Sequence, residues 1–532
     1  MQPSINHRKV FLLGMAGVFL GTVICVRFRL LAVPLERDVG EYAYIAQQLL
    51  QGVLPYTESQ SMKLPGIFFV YAGILTIFGP SPVAIHLSLL FVNLTTAFLL
   101  FFLGRSLLNF SVGIVAGISF SVLSLSPSLQ GVWANSEHYV LLPAVGGVLL
   151  LRLAEDRPAR FFLSGLLLGC ALLIKQHAIF FCIFGILYLG ARGIVKSHSF
   201  KKIFRSIALF GAGGLVPIIL SAFLYVVSGK FSDFWFCTIQ YASEYVSMTA
   251  PGEGFENFKY SFSQILEVNF PILWVSLVGL VSAVWRKERK KEYLFLFGFF
   301  ACTFLAVTPG LYFRIHYFLL WVPALSLLAG VGFEILTSGF SSSRVKTAIS
   351  VVTLALVLGL PVLIQKRILF TMPVNEVTRM IYGLNPFSES LEIAQYIRDH
   401  TKKEDKVVVL GSEPQIYFYS QRKSATRHLY MYPLMEKHVY ARKMQDEMIR
   451  EIEGGQPKFV VMAKTAGTWV STRPDFSPAL KDWAQGYLNR EYEIDGVVDL
   501  FPHKETLYRW GNQAQEYMPQ STHHLILYKR RT

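Results

Sequence analysis

Long apolar runs alternate with short polar segments along the first 364 residues of the chain. A helix that crosses a bilayer needs about 20 apolar residues. Several of the runs here are shorter, but they form a continuous series of apolar segments. The pattern therefore predicts about 11 transmembrane helices. They are expected at roughly 10–32, 83–102, 112–129, 139–153, 161–174, 178–189, 207–227, 270–285, 295–308, 318–336 and 348–364.

The loop between the first two predicted spans differs from the others. Residues 40–51 have amphipathic helical spacing, whereas residues 65–78 are apolar on most faces but too short to cross a bilayer. Asp38, Glu41 and Lys63 lie in this loop among aromatic and leucine side chains. The pattern predicts two interfacial helices that carry charges at the membrane surface.

The pattern changes again near residue 386, where charged residues become frequent and short strand-like runs alternate with helical ones. This alternation predicts a small α/β domain at 386–532 that follows a membrane domain at 1–385. Within the second domain, helices are expected at 391–400 and 435–452, and strands at 406–410 and 459–462.

Composition and charge fix the class of protein and its orientation. The 532 residues are 53% hydrophobic and 16% charged, whereas soluble domains carry about 25% charged residues. The net charge of +15 is concentrated in loop clusters such as 196–205 and 286–291, as in cytoplasmic loops of membrane proteins, which argues against nucleic-acid binding. We expect a multi-pass protein of the cytoplasmic (inner) membrane with its N-terminus in the cytoplasm. An odd number of spans places the C-terminal domain outside.

This topology brings polar residues of several outer loops to one membrane level. Charges are costly inside a bilayer unless they share a watery cavity. Lysine and arginine suit a phosphate group, and a carboxylate beside them suits a general base. The combination favours a one-step, inverting transfer from a lipid-linked phosphosugar. The residues concerned are Asp38, Lys63, Glu137, His138, Lys175, Arg314 and His316.

Several segments resemble membrane glycosyltransferases of the GT-C fold, in particular family 39 proteins related to protein O-mannosyltransferases and lipid A aminoarabinose transferases. The resemblance lies in short motifs spread over most of the chain. They are ERDVGEYAYIAQQLLQG from Glu36, KLPGIFFVYA from Lys63, LLIKQ from Leu172, YFRIHYFLLWVPA from Tyr312 and GSEPQIYFYSQRKSATR from Gly411.

The resemblance implies roles for individual residues. Asp38 matches the catalytic carboxylate of the family, Lys63 matches the lysine on the lipid phosphate, and Lys175 and Arg314 fall where the family lines the donor site. The further pocket candidates are Glu41, Glu137, His138, His316 and Tyr317.

Two positions depart from the family pattern. Val39 stands where a second acidic residue is common in the family. Either Glu41 or Glu137 substitutes for that residue, or the chain is a non-catalytic pseudo-glycosyltransferase. Met62 stands where aminoarabinose transferases tend to carry glutamate, which weighs against a metal site and against lipid A as the acceptor. No cofactor is firmly implied, and a divalent metal is left open.

The expected function is transfer of a monosaccharide from a polyprenyl-phosphate donor to an acceptor hydroxyl, with Asp38 as the general base. The sugar, a hexose or a pentose, is left open, as is the acceptor, which is a protein, a lipid or a glycan. The alternative from another class is a transporter or flippase of polar lipids. It predicts charges near the bilayer midplane and inverted repeats, and neither is evident in the sequence.

Overall fold

The structure is a computed structural model that describes residues 7–284, 286–340, 342–436, 438–465, 468–469 and 479–531. Helices make up the chain before residue 383, and a mixed sheet with helices follows. The helices of the first part are α1 (His7–Arg29), α2 (Arg37–Leu50), α3 (Gly66–Phe78), α4 (Pro82–Leu107), α5 (Phe110–Leu125), α6 (Ser136–Arg152), α7 (Pro158–Ile174), α8 (Ile179–Val195), α9 (Phe200–Val227), α10 (Phe231–Trp235), α11 (Ala242–Val246), α12 (Pro251–Val281), α13 (Lys290–Leu305), α14 (Val322–Ser338), α15 (Ser343–Ile364) and α16 (Val374–Tyr382).

Each of the eleven predicted spans coincides with a helix, namely α1, α4 to α9 and α12 to α15. Among the described residues, seven helices are long and apolar enough to cross a membrane. Three more apolar helices are shorter: α3, α5 and α7. The chain is a multi-pass membrane protein, and the count of about 11 crossings stays a prediction.

The two predicted interfacial helices are present as α2 and α3. The Glu36 side chain caps α2, because its carboxylate oxygens accept the N–H groups of Asp38 and Val39, each at 2.9 Å. α2 packs against α3 through the rings of Tyr42 and Tyr71, whose centroids are 5.3 Å apart. The helix that carries the charges is therefore held on one face by α3.

The segment between the predicted spans at 207–227 and 270–285 is largely helical, although the hydropathy pattern indicates a loop there. It contains α10 and α11, and α12 begins at Pro251 rather than near residue 270. Proline suits the first turn of a helix, and the polar turns that follow it are invisible to a hydropathy pattern. α12 ends at Val281 and a short 3-10 turn extends to Val284, while Trp285, the predicted end of this span, lies outside the described residues.

Within its described residues, the C-terminal domain contains a six-stranded sheet in the order β2-β1-β3-β6-β4-β5. β1 pairs in parallel with β2 and β3, and the other pairs are antiparallel. The predicted strands are confirmed as β1 and β3, and the sequence pattern does not predict the other four strands. The strands are β1 (Lys406–Leu410), β2 (Lys423–Ser424), β3 (Phe459–Lys464), β4 (Tyr492–Asp499), β5 (Leu507–Trp510) and β6 (His524–Arg530).

Helices lie between the strands of this domain. The helix predicted at 391–400 is present as α17, and the one predicted at 435–452 begins later, as α20; Lys437 lies outside the described residues. The helices are α17 (Glu389–Asp399), α18 (Gln415–Ser420), α19 (Tyr432–Met435), α20 (Ala441–Gly455), α21 (Ala479–Glu491) and α22 (Asn512–Gln515).

The C-terminal domain lies directly on α2. Gly40 approaches Gln415 so closely that a Cβ atom on Gly40 would lie 2.7 Å from the backbone nitrogen of Gln415. The Tyr44 hydroxyl accepts the backbone N–H of Ser424 at 2.8 Å. α2 is thus enclosed between membrane helices and the C-terminal domain, and most of its residues are buried.

Candidate active site

Asp38 is the carboxylate of α2 that lines an open cavity. It lies in the first turn of the helix, where Glu36 already serves as the cap, so its carboxylate is not needed for capping. Its side chain is 25% exposed and lines a cavity of about 330 Å³. The neighbouring Arg37 lines the same cavity, together with residues from distant parts of the chain, among them Gln130, Tyr260, Arg314, His316 and Tyr382.

Lys63 joins two carboxylates of α2. Its Nζ lies 3.1 Å from Oδ1 of Asp38 and forms an ion pair with Glu41, whose side chain is only 1% exposed. The Tyr430 hydroxyl, from the C-terminal domain, donates to Glu41 at 2.9 Å. Tyr56 positions Lys63 by donating its hydroxyl to the Lys63 carbonyl at 2.6 Å.

These contacts set the charge state of the Asp38 carboxylate. Burial acts to raise its pKa, but the surrounding basic groups, Lys63 foremost, outweigh that effect and hold the pKa well below its usual range. Burial raises the pKa of Glu41, with the Lys63 charge opposing the shift. Asp38 is therefore ionised at neutral pH.

A second ion pair lies beside the first. Glu137, in the first turn of α6, is 1% exposed and pairs with Lys175, which follows α7. The Lys175 Nζ also lies 4.3 Å from the ring centroid of Tyr317, a favourable cation–π distance. Little loop separates α7 from α8, so Lys175 is held between helices rather than in solvent.

His316 connects the two ion pairs. Its Nε2 lies 3.9 Å from Oδ2 of Asp38 and 4.0 Å from Oε1 of Glu137, and its Nδ1 pairs with Oε1 of Gln130 at 3.0 Å. The arrangement brings Asp38, Glu41, Lys63, Glu137, Lys175, His316 and Tyr317 into one continuous network.

Arg314 differs from the two lysines. It lines the cavity with Asp38 but forms no ion pair with any carboxylate in the described part of the chain, and its Nη2 lies 3.3 Å from the hydroxyl of Tyr245. The backbone before it is irregular, with positive φ at Gly310, Leu311 and Phe313. Such conformations cost energy in non-glycine residues and concentrate at functional sites. Arg314 thus presents a cation that an anion in the cavity can meet.

His138 is the sequence candidate that lies apart from the others. It is fully buried, and its Nδ1 pairs with Oδ1 of Asn93 on α4 at 3.0 Å. Successive residues of a helix are rotated by about 100°, so Glu137 and His138 face different directions. The structure therefore places Glu137, and not His138, in the network.

Some cavity and network residues were not singled out in the sequence. Arg37 lines the cavity, and its Nε–H donates to the Ser412 carbonyl at 2.6 Å. Its position next to Asp38 in the sequence could have identified it. The tertiary fold alone brings three other residues to the site, and these are Tyr245 at Arg314, Gln130 at His316 and Tyr430 at Glu41. No local pattern marks them.

A divalent metal was left open by the sequence. Among the described residues, no three histidine, cysteine, aspartate or glutamate side chains come together in an arrangement that would hold a metal ion.

Comparisons with known proteins agree with this architecture. Residues 62–225, less than half of the chain, match the family described as dolichyl-phosphate-mannose-protein mannosyltransferase. No curated protein sequence matches the chain significantly.

Among solved structures, similar folds occur in membrane enzymes. ArnT from Cupriavidus metallidurans in the apo state has a TM-score of 0.60 at 14% identity, over 97% of this chain and 98% of that one. The same protein bound to undecaprenyl phosphate gives 0.58 at 13% identity over the same shares of both chains. The archaeal oligosaccharyltransferase AglB from Archaeoglobus fulgidus, in complex with an inhibitory peptide and a dolichol-phosphate, gives 0.55 at 11% identity, over 96% of this chain and 75% of that one. The chain is a multi-pass membrane protein with the GT-C fold, the fold of these membrane glycosyltransferases.

Proposed function

We propose that the chain transfers a monosaccharide from a polyprenyl-phosphate donor to an acceptor hydroxyl. The observation that carries the proposal is the shared cavity of about 330 Å³, which is lined by the carboxylate of Asp38 and by the guanidinium of Arg314, a cation that pairs with no carboxylate of the described residues. A general base and a phosphate-binding cation are the two groups that this reaction requires of a protein.

The reaction is a single displacement. The acceptor oxygen attacks the anomeric carbon of the sugar while the bond from that carbon to the phosphate oxygen breaks, and the lipid phosphate leaves with the bonding electrons. Asp38 takes the proton of the acceptor hydroxyl, which its low pKa leaves it free to do at neutral pH. The attack from the opposite face inverts the anomeric centre.

The cations divide between two tasks. Arg314 forms charge-assisted hydrogen bonds to the donor phosphate and stabilises the charge that develops as the bond breaks. Lys63 and Lys175 are each paired with a buried glutamate, Glu41 and Glu137 respectively. In this state Lys63 also fixes the position of Asp38. When the donor enters, its phosphate competes with these two glutamates for the ammonium groups, and both lysines then contact the phosphate.

An apolar groove in the membrane domain suits the lipid part of the donor. It has a volume of about 330 Å³ and lies between α12, α13 and α14. Its first residue on α12, Phe262, directly follows Ser261, which lines the Asp38 cavity. A prenyl chain in this groove would lie in a hydrocarbon environment while its phosphate reached Arg314. The similar structures with bound undecaprenyl phosphate and dolichol-phosphate support a donor of this class.

The acceptor meets the site on the extracytoplasmic face of the inner membrane. This assignment rests on the positive-inside rule, because the basic clusters at 196–205 and 286–291 lie at the opposite helix ends. A topology reporter fused after Thr532 should be active outside the cytoplasm. Activity only in the cytoplasm would place the site on the other face.

The test of the function compares cells that lack the chain with cells that carry wild type or Asp38→Asn. Mass spectrometry of outer-surface lipids, glycans and glycoproteins should reveal a hexose or pentose on one acceptor in the wild type only. Glu58→Gln is the matched control, since Glu58 is an exposed carboxylate of the same loop that pairs with Lys423. An Asp38→Asn variant that modifies the acceptor as fully as wild type would show that Asp38 is not the base.

A further inference from the structure

A second lipid site is indicated at the helix ends opposite the candidate active site. Arg152 ends α6, whose first turn carries Glu137, and Lys196 follows α8, whose first turn comes soon after Lys175. A helix of 17 residues spans about 25 Å, so this region is separated from the Asp38 cavity by most of the thickness of a bilayer.

A groove of about 350 Å³ opens here between α8 and α13. Its floor is apolar, with Phe184, Tyr188, Phe295 and Gly298 among the lining residues, and part of its wall is exposed leucine, including Leu187. Its rim is basic, and the cations there are Arg152, Arg192, Lys196 and Lys291. The groove thus combines a basic rim with an apolar floor.

The positive charge of this rim is not balanced within the described part of the protein. Asp156 pairs with Arg192 at 2.9 Å, but it also lies within ion-pair distance of Lys196, His198 and Lys202. One carboxylate therefore serves several basic groups, and Glu292 is the acidic residue among those that line the groove.

Two rim arginines also retain unsatisfied donors. Nη1 of Arg192 and Nε of Arg152 are buried, and neither has a hydrogen-bond partner among the residues that the structure describes. A buried donor without a partner costs free energy, and an anion placed in the groove would satisfy it.

We propose that this groove binds an anionic phospholipid, with its phosphate at Arg192 and Arg152 and one acyl chain along Phe184 and Phe295. Basic pockets between transmembrane helices on the cytoplasmic side are typical binding sites for acidic lipid headgroups. The lysines at the rim, of which Lys196 is 45% exposed, meet the negative surface of the leaflet. The site would anchor the inner ends of α6, α8 and α13 and is separate from the donor site.

The test uses the full-length protein, delipidated in detergent and analysed by native mass spectrometry with added phosphatidylglycerol or phosphatidylcholine. Phosphatidylglycerol should bind at least about tenfold more tightly, because each basic residue near an acidic lipid contributes about a factor of five. The double variant Lys196→Gln/Lys291→Gln should remove most of this preference. Equal retention of both lipids by the wild type would overturn the proposal.

Two further variants distinguish a lipid site from a diffuse basic surface and from a site for a small anion. Lys201→Gln/Lys290→Gln removes the same charge from neighbouring positions that do not line the groove, and an equal loss of binding would indicate a diffuse basic surface instead. Gly298→Leu fills the apolar floor with the rim intact, because a Cβ there meets the Phe184 ring at an ordinary 3.6 Å. It should weaken phosphatidylglycerol binding. If this variant binds phosphatidylglycerol fully, or if millimolar inorganic phosphate displaces the lipid, the groove binds a small anion rather than a phospholipid.

Discussion

Gly40 offers a sharp test of the contact between α2 and the C-terminal domain. A Cβ on Gly40 would lie 2.7 Å from the backbone nitrogen and Cβ of Gln415 and 2.9 Å from its Cα. These are backbone and near-backbone atoms, which cannot swing aside as the tip of a flexible side chain does. Gly40→Ala therefore forces α2 and α18 apart.

The size of the effect follows from these distances. An ordinary contact is at least 3.4 Å, so a contact of 2.7 Å requires a separation of about 0.7 Å. Overpacking of this kind costs about 1–3 kcal/mol, whereas glycine-to-alanine replacement within an unobstructed helix gains about 0.5–1 kcal/mol. Asp38 lies two residues away, and a displacement approaching 1 Å in a catalytic group lowers the rate by up to about a hundredfold.

Gly73→Ala is the matched control, because Gly73 lies within α3 and nothing lies within 4 Å of the position that a methyl group would take there. The melting temperature in detergent and the transfer rate should fall for Gly40→Ala and be unchanged or improved for Gly73→Ala. If both variants behave alike in both assays, the close approach of Gln415 to α2 does not exist in the working protein.

Three further predictions concern residues of the candidate site. Lys63→Met should destabilise the fold by about 3–5 kcal/mol, because it leaves Glu41 buried without its cation. Adding Glu41→Gln should recover much of that stability. A double variant as unstable as Lys63→Met alone would contradict the ion pair. Arg314→Gln should raise the donor KM by about tenfold or more while the fold melts normally, and an unchanged KM would remove Arg314 from the phosphate site. Burial, together with the Asp38 charge, raises the pKa of Glu36 to about 8 from 4.5, so the folded state retains a proton that the unfolded state releases. Stability measured by urea or thermal unfolding should therefore fall as pH rises between these values, and Glu36→Gln should flatten that slope; an unchanged slope would contradict the shift.

The parts of the fold set by local composition were predictable. Every long apolar run before residue 365 forms a helix, because a single segment of hydrocarbon side chains can satisfy its backbone in a bilayer only that way. The hydropathy pattern predicts a loop for the first half of α12, because its turns from Pro251 carry Glu253, Glu256 and Lys259 and give no apolar signal. Strand β6 pairs with β3 and β4 over a long distance in sequence, so no local pattern marks it. Strands β4 and β5 are neighbours in sequence, but their mixed polar and apolar residues give no continuous apolar run.

The candidate site was predictable as a set of residues but not as a geometry. Charged residues at the ends of apolar runs identify most of its members, since such charges are rarely incidental in a membrane protein. Which glutamate pairs with which lysine depends on tertiary packing, and so does the position of His316 between Asp38 and Glu137. The rotation that turns His138 toward Asn93 follows from helical phase, which a prediction based on loop membership does not use.

The contact of Tyr430 with Glu41 has a consequence for biosynthesis. α2 leaves the ribosome long before Tyr430 is made, so during synthesis the buried Glu41 carboxylate lacks the hydroxyl that later donates to it. The same holds for Gln415, which closes the face of α2 at Gly40. The pocket around Asp38 is thus complete only when the last quarter of the polypeptide folds back onto α2. Partly made chains in the membrane would hold the charges of the site without its final shape.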